Sequence, residues 1–447
     1  MIPPALAIVL VLGVLGVILL STRVAAKRWE WHPELQRKAV HIGMGATVLS
    51  FPWLFQSLIP VFILASLAVA ILACARSIPS LRKGAGSPLY SVERDSHGEI
   101  YFTVSVALLY WLSGGDPVQF CVPVLILTLA DAAGALIGVR YGKLAYTTLS
   151  GTKSAEGSVT CFTVSFFAAH VPLLLATNLG RAEALLIAVC LAALCMLVEA
   201  VATRGLDNLV IPLGAWFLLV RLSELDAVTL AGRAGLLLAL LVTVLTLRGH
   251  SSLEGGALLG AVLFAYGCRA LGDWLFLSVV VILFVDHLIA VRAIREVASP
   301  RHNLYGILSV ATTSLPWLVL FYIEKLPRDQ ALYAFTANVA AHFAIFNRNT
   351  LLILSESLRP TQCLLRCPLK ALLCFIPLLL FPPASLGIAF VMAGVTFILG
   401  SAALVVFGCV FSCPPKENQM ESARRWMLQA VICLVVSGAA YGVARWF

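Results

Sequence analysis

Apolar runs of roughly 18 to 22 residues recur along the whole of this chain, and that one feature excludes most folds. Each run is long enough to cross about 30 Å of hydrocarbon at a rise of ~1.5 Å per residue. The 447 residues are 60% hydrophobic and only 12% charged, with a mean hydropathy of +0.96. A soluble globule of this size needs more polar surface than that. The expectation is an all-α polytopic transmembrane bundle of about 13–15 helices.

The distribution of charge refines that picture. The net charge is +9, but Lys and Arg sit mainly in short loops beside the ends of apolar runs. That is the positive-inside pattern, and it argues against a nucleic-acid partner. The first run, residues 2–20, has no basic residue before it, whereas Arg23, Lys27 and Arg28 follow it. These flanks describe an anchor that enters with its N-terminus outside, although Val24-Ala25-Ala26 loosely resembles a leader cleavage site. With residues 23–38 inside, the runs 40–54 and 58–75 form a hairpin returning to a basic loop at 76–99, which holds Arg76, Arg82, Lys83 and Arg94. Continuing the count brings residues 141–157 and 203–208 to the same, cytoplasmic face. A boundary near 225 divides the chain into modules 1–225 and 226–447. The twelve cysteines form no C-x-x-C pair; Cys363/Cys367 and Cys409/Cys413 share i, i+4 spacing but have no histidine nearby to complete a metal site.

Against this apolar background the stretch 131–208 is dense in ionisable residues and glycine. Asp131, Gly134 and Gly138 fall on one helical face at i, i+3 and i+7. Helix packing explains the glycines, since Gly134-x-x-x-Gly138 is a close-approach motif, but it does not explain a carboxylate. Asp131 suits a Mg²⁺ ligand or a base for a substrate hydroxyl. The segment 142–157 brings Lys143, Gly151, Lys153, Ser154, Glu156 and Gly157 to the start of another apolar run. Glycines admit close backbone approach to phosphate, the helix start adds positive potential, and the lysines supply point charges. A basic loop pairing with lipid phosphates accounts for the two lysines separately, and leaves Glu156 and the glycine spacing unexplained. No Walker A sequence is present. Glu199 lies near the end of its run, and Asp207-Asn208 opens the next; a simple helix cap accounts for Asp207 equally well. Upstream, Arg37 and Lys38 read as interfacial anchors, with His41 one turn deeper. Two or three carboxylates facing a basic loop suit metal-bridged phosphates.

These residues jointly resemble the CTP-dependent polyprenol kinases, the family of phytol, farnesol and dolichol kinases, and most of all the phytol kinase branch. The resemblance is carried by Arg37, Lys38 and His41, then by Gly98, Glu99, Tyr101 and Phe102. Asp131, Gly138, Tyr141, Gly142 and Lys143 continue it, with Ala135 displaced from the family's usual alanine. Lys153, Ser154, Glu156, Gly157 and Ser158 follow, and Glu199, Asp207, Asn208 and Pro212 complete it, so that it spans about residues 35–220. The second module resembles the integral membrane family that contains plant phytyl-phosphate kinase, whose polar helix carries N-A-D-T-x-x-[ST]-E. Here the nearest string begins Asn347-Arg348-Asn349-Thr350, and Asn349 and Leu354 stand where that family has its two acids.

The resemblance implies a membrane kinase that transfers a phosphoryl group from CTP to a long-chain isoprenoid alcohol such as phytol, with Mg²⁺. Asp131, Lys153, Glu156 and Asp207 are then the catalytic candidates, and Asp131, Glu156, Glu199 and Asp207 the metal candidates. Lys143, Gly151, Ser154, Gly157, Asn208, Arg37, Lys38 and His41 are the nucleotide candidates. A phosphatidate cytidylyltransferase is the alternative within CTP chemistry, and a transporter the alternative outside enzymes. Arg exceeds Lys and Ala and Leu abound, which points to a bacterial inner membrane, with the site facing the cytoplasm. The second module is implied to be a diverged partner for the following phosphorylation.

Overall fold

The computed structural model describes residues 2–78, 80, 84, 87, 96–294, 301–354, 360–411 and 422–447. Arg82, Lys83 and Arg94 of the expected basic loop, together with Cys413, lie outside the described residues. The fold is helical throughout, and among the described residues eleven helices are long and apolar enough to cross a membrane. The chain forms two compact units, Met1–Leu238 and Ala239–Phe447.

The first unit runs α1 (Pro4–Arg28), α2 (Pro33–Val48), the short α3 (Phe51–Leu54), α4 (Leu58–Ser77) and α5 (Gly98–Leu112). Then come α6 (Pro117–Leu125) and α7 (Asp131–Tyr141), joined without a break by a π-helical turn at Ile126–Ala130. The π turn follows Pro123, whose missing N–H already interrupts the helical ladder. Next are β1 (Ala145–Thr148), β2 (Gly151–Ser154), α8 (Ala155–Ala176), α9 (Arg181–Val201) and α10 (Asp207–Leu222). The last helix, α11 (Ala227–Leu247), contains the division between the units.

Helices in lipid gain little from the hydrophobic effect against one another, so close van der Waals packing has to hold them together. Ala184, Ala188 and Ala192 repeat every four residues along α9, each fully buried, and let its neighbours approach. In the continuous span Pro117–Tyr141, 61% of the apolar window is buried inside the protein, against 17% for Pro4–Arg28. The former is therefore a central post and the latter an outer wall. An aromatic cluster closes the end of the unit away from the charged segments. Phe51 stacks on Phe120, Tyr110 meets Phe120 edge-on, and the Tyr110 hydroxyl donates to the Phe55 carbonyl at 2.6 Å.

The segment 142–157, read from sequence as a glycine-rich loop, instead contains an antiparallel hairpin with Tyr146 opposite Lys153 and Thr148 opposite Gly151. Two residues, Leu149 and Ser150, make the turn, and Gly151 takes φ +120°, which only glycine adopts without strain. The Tyr-Thr-Thr run favours an extended chain and was the available signal.

The second unit comprises α12 (Gly255–Leu271), α13 (Trp274–Ile294), α14 (Leu304–Tyr322), α15 (Arg328–Leu354), α16 (Pro360–Ala371), α17 (Ile376–Leu380), α18 (Leu386–Val410) and α19 (Ala423–Ala444). Its centre is α15, buried from Ala331 to Ile345. Polar side chains on this helix meet polar side chains on its neighbours. Asn338 donates to the Ser314 hydroxyl at 2.8 Å, and His342 lies between Thr313 and Gln429 at 3.1 and 3.0 Å. Asn347 accepts from Lys370 at 2.9 Å, and Lys370 also pairs with Asp286 at 2.5 Å. Asn349, at the position of the lost acid, accepts from Arg425 at 2.9 Å.

Candidate functional site

Four helix N-termini of the first unit open into one cavity of about 1300 Å³. They are the first turns of α2, α5, α8 and α10, represented at the wall by Glu34, Gly98, Gly157 and Asn208. Helix dipoles concentrate partial positive charge at such ends, which favours an anion, while the N–H groups of Glu34, Gly98, Gly157 and Asn208 already donate to His32 Nδ1, Ser96 Oγ, Ser154 Oγ and the Gly205 carbonyl. Five cationic side chains reinforce it, since Arg37, Lys38, Arg76, Lys153 and Arg204 also line the cavity.

Close glycine contacts fix this convergence. A Cβ on Gly157 would stand 2.8 Å from the Gly134 carbonyl oxygen and 3.2 Å from Gly138, so α7 and α8 touch backbone to backbone. Gly205, at φ +84°, lies against Gly98, where a Cβ would come within 2.6 Å of the Gly98 backbone. This second contact presses the turn before α10 onto the start of α5.

Acids collect in the middle. Carboxylate oxygens of Asp131 (α7), Glu199 (α9) and Asp207 (α10) lie within 4.8 Å of one another. Asp131 is buried and forms a 2.6 Å ion pair with the equally buried Lys38. Its other oxygen lies 3.4 Å from His41 Nε2, which is also 3.1 Å from the Leu127 carbonyl. That carbonyl belongs to the π turn. Lys153 reaches across from β2 to Glu199, 2.8 Å from Oε1, and also donates to the Glu199 carbonyl. Burial works against the charge on Lys153, but the Glu199 and Asp207 carboxylates outweigh it and hold the amine above its ordinary value. Glu199 Oε2 and Asn208 Oδ1 are buried without a hydrogen-bond partner. Leaving an acceptor so costs about 1–3 kcal/mol, and both oxygens belong to residues that line the cavity, where a ligand or water can satisfy them.

The sequence candidates therefore divide. Asp131, Glu199, Asp207, Lys153, Ser154, Gly157, Asn208, Arg37, Lys38 and His41 all border the cavity. Of these, Ser154 caps α8 by accepting from the Gly157 N–H at 3.2 Å, and Gly157 is occupied in helix packing. Arg37 is held by Glu34 at 2.6 Å. Three candidates do not border it: Lys143, Glu156 and Gly151. Glu156 is a correction, because its carboxylate folds back to accept the Leu144 N–H at 3.2 Å and clamps the base of the hairpin. Being one residue before Gly157 on α8, it cannot share the face that packs against α7. Lys143 is exposed beyond the end of α7, and Gly151 serves the turn of the hairpin.

Arg76 and Arg204 were missed as site residues. Arg76 pairs with Glu99 at 3.5 Å and donates to the Ser96 carbonyl. At the end of an apolar run it read as an ordinary flanking charge. For Arg204 the available signal was the adjacent Gly205, a turn residue; the structure puts both in the left-handed region, at φ +54° and +84°.

Three carboxylates with an unsatisfied buried oxygen, beside amines and hydroxyls, are a donor set that suits Mg²⁺, which takes one or two acids and completes its shell with substrate oxygens. No family model and no solved structure matches the chain. A curated relative does: a phytol kinase from Synechocystis sp. is 30% identical over 216 residues, which is 48% of this chain and 90% of that enzyme. With that match across nearly the full length of the relative, the chain belongs to the phytol kinase family.

Proposed function

We propose that this protein is a membrane kinase that phosphorylates a long-chain isoprenoid alcohol with a nucleoside triphosphate, CTP by family resemblance. The observation that carries the reading is the Asp131–Glu199–Asp207 cluster in a cavity walled by five cations and four helix N-termini. Phosphoryl transfer asks a protein for positioning and charge neutralisation more than for covalent chemistry, and this cavity supplies both.

In this reading Arg37, Arg76, Lys153 and Arg204, with the first turns of α8 and α10, receive the phosphates. Glu199, Asp207 and Asp131 would hold Mg²⁺, which when bound neutralises charge on the phosphate oxygens. The substrate oxygen attacks the terminal phosphorus, the bond to the bridging oxygen of the nucleoside diphosphate breaks, and the products are a lipid monophosphate and CDP. We assign the hydroxyl proton to the Asp131–His41 pair, with Lys38 balancing the carboxylate. The site then faces the cytoplasm of a bacterial inner membrane, where nucleotide is available.

Purified protein with labelled CTP, Mg²⁺ and phytol or geranylgeraniol is expected to give lipid monophosphate and CDP. Release of pyrophosphate instead would assign it to cytidylyl transfer. Failure to phosphorylate any prenol with any of the common nucleoside triphosphates would refute the reading.

A further inference from the structure

Between α1, α2, α4 and α5 lies a second cavity, about 190 Å³, and its lining is apolar. The two hydroxyl groups along it do not alter that: Thr47 donates to the Gly43 carbonyl and Thr103 to the Glu99 carbonyl, each within its own helix. Small residues make the room. Ala65 and Ala68 recess the α4 wall, and a Cβ placed on Gly16 of α1 would meet nothing within 4 Å. Along α4 the lining extends from Val61 to Leu72, about 16 Å at the helical rise.

The two cavities share Met44 and Phe102. The Phe102 ring meets the His41 ring edge-on at 5.5 Å between centroids, and His41 Nε2 is 3.4 Å from Asp131. The apolar channel thus ends one aromatic ring away from the carboxylate assigned to the hydroxyl proton. Met44 adds an adaptable side chain at the junction. A slot without polar demand, separated from a charged chamber by Met44 and Phe102, matches a ligand that is hydrocarbon along its length and hydroxyl at its tip.

We infer that the channel between α1, α2, α4 and α5 holds the isoprene units next to the hydroxyl of the lipid alcohol, with the rest of the chain in the bilayer, and delivers the hydroxyl past Met44 and Phe102 to the Asp131–His41 pair. This rests on the kinase reading above. The outer wall, α1, is the least buried part of the enclosure, so the chain enters laterally from the bilayer.

Filling the channel tests the inference. In the full-length protein, Gly16→Phe and Ala68→Phe should each lower kcat/KM for geranylgeraniol by about 10–200-fold, the range for a blocked apolar subsite, while a five-carbon prenol is turned over as before. An unchanged ratio between the two alcohols in both variants overturns it. A second measurement needs no variant: geranylgeraniol carrying a diazirine on its second isoprene unit should label peptides from α1 or α4, competed by unlabelled geranylgeraniol. Labelling elsewhere, or equal competition by a phospholipid, overturns the inference by making the channel an ordinary bilayer contact. Absence of any prenol phosphorylation with competed labelling intact would sink the kinase reading and leave the channel standing.

Discussion

The two units differ in whether their buried acids gather. In the first, Asp131, Glu199 and Asp207 crowd together around open volume, and Glu199 retains an oxygen that nothing in the chain satisfies. In the second, the signature-like Asn347 and Asn349 are each engaged by a cation, Lys370 and Arg425. Like charges held together with space between them are costly, and they persist where a ligand relieves the cost. The second unit also leaves buried acceptors unsatisfied, at Asp286 Oδ2, Thr336 Oγ1 and Asn338 Oδ1, but paired polar side chains there mainly fix helix positions. Among the described residues the acid cluster capable of holding a metal belongs to the first unit. We therefore propose that the chemistry lies there and that the polar seam around α15 is scaffolding.

The sharpest way to break this contrast is to remove divalent metal. EDTA should abolish lipid monophosphate formation and Mg²⁺ should restore it; activity that survives chelation contradicts the acid cluster as a metal site. Next in size, Glu199→Gln and Lys153→Ala should each reduce kcat by about 10²–10³-fold, the usual cost of losing one preorganised electrostatic group. Asn349→Ala in the second unit should leave the same rate unchanged, and a comparable fall there would move the chemistry to α15. Smaller is the expected effect of Arg425→Met, which leaves the Asn349 oxygen buried without its donor. Unfolding in detergent should show a loss of about 1–3 kcal/mol with turnover preserved below the transition. Smallest, Glu156→Gln should keep turnover within about threefold, as for a surface change, because its carboxylate faces the hairpin and not the cavity.

Much of the first unit was legible before any coordinates. Runs of hydrocarbon of spanning length leave the backbone no alternative to helix, and the ionisable residues stood out because the background is so apolar. Alternating crossings put Asp131, Glu199 and Asp207, 76 residues apart at the extremes, on one face, but their meeting within 4.8 Å is visible only in the structure. The features that escaped depend on orientation. Glu156 and Lys153 lie three residues apart, but one turns to the backbone of Leu144 and the other to Glu199, a choice made by the hairpin register. Gly134 and Gly157 read as loci for phosphate or packing, and the backbone contact between α7 and α8 decides for packing. Arg76 was hidden because a charge at a helix end is what every membrane protein shows.

The π turn at Ile126–Ala130 contains one residue more than an α-helix needs for the same advance. Wound into regular helix, that surplus residue would rotate every position beyond it by about 100° relative to the preceding half. Asp131 would swing away from Lys38 and His41 while Phe120 and Val124 stayed in register. The widened turn absorbs the surplus residue locally, so the half that packs hydrocarbon and the half that presents a carboxylate both keep their faces.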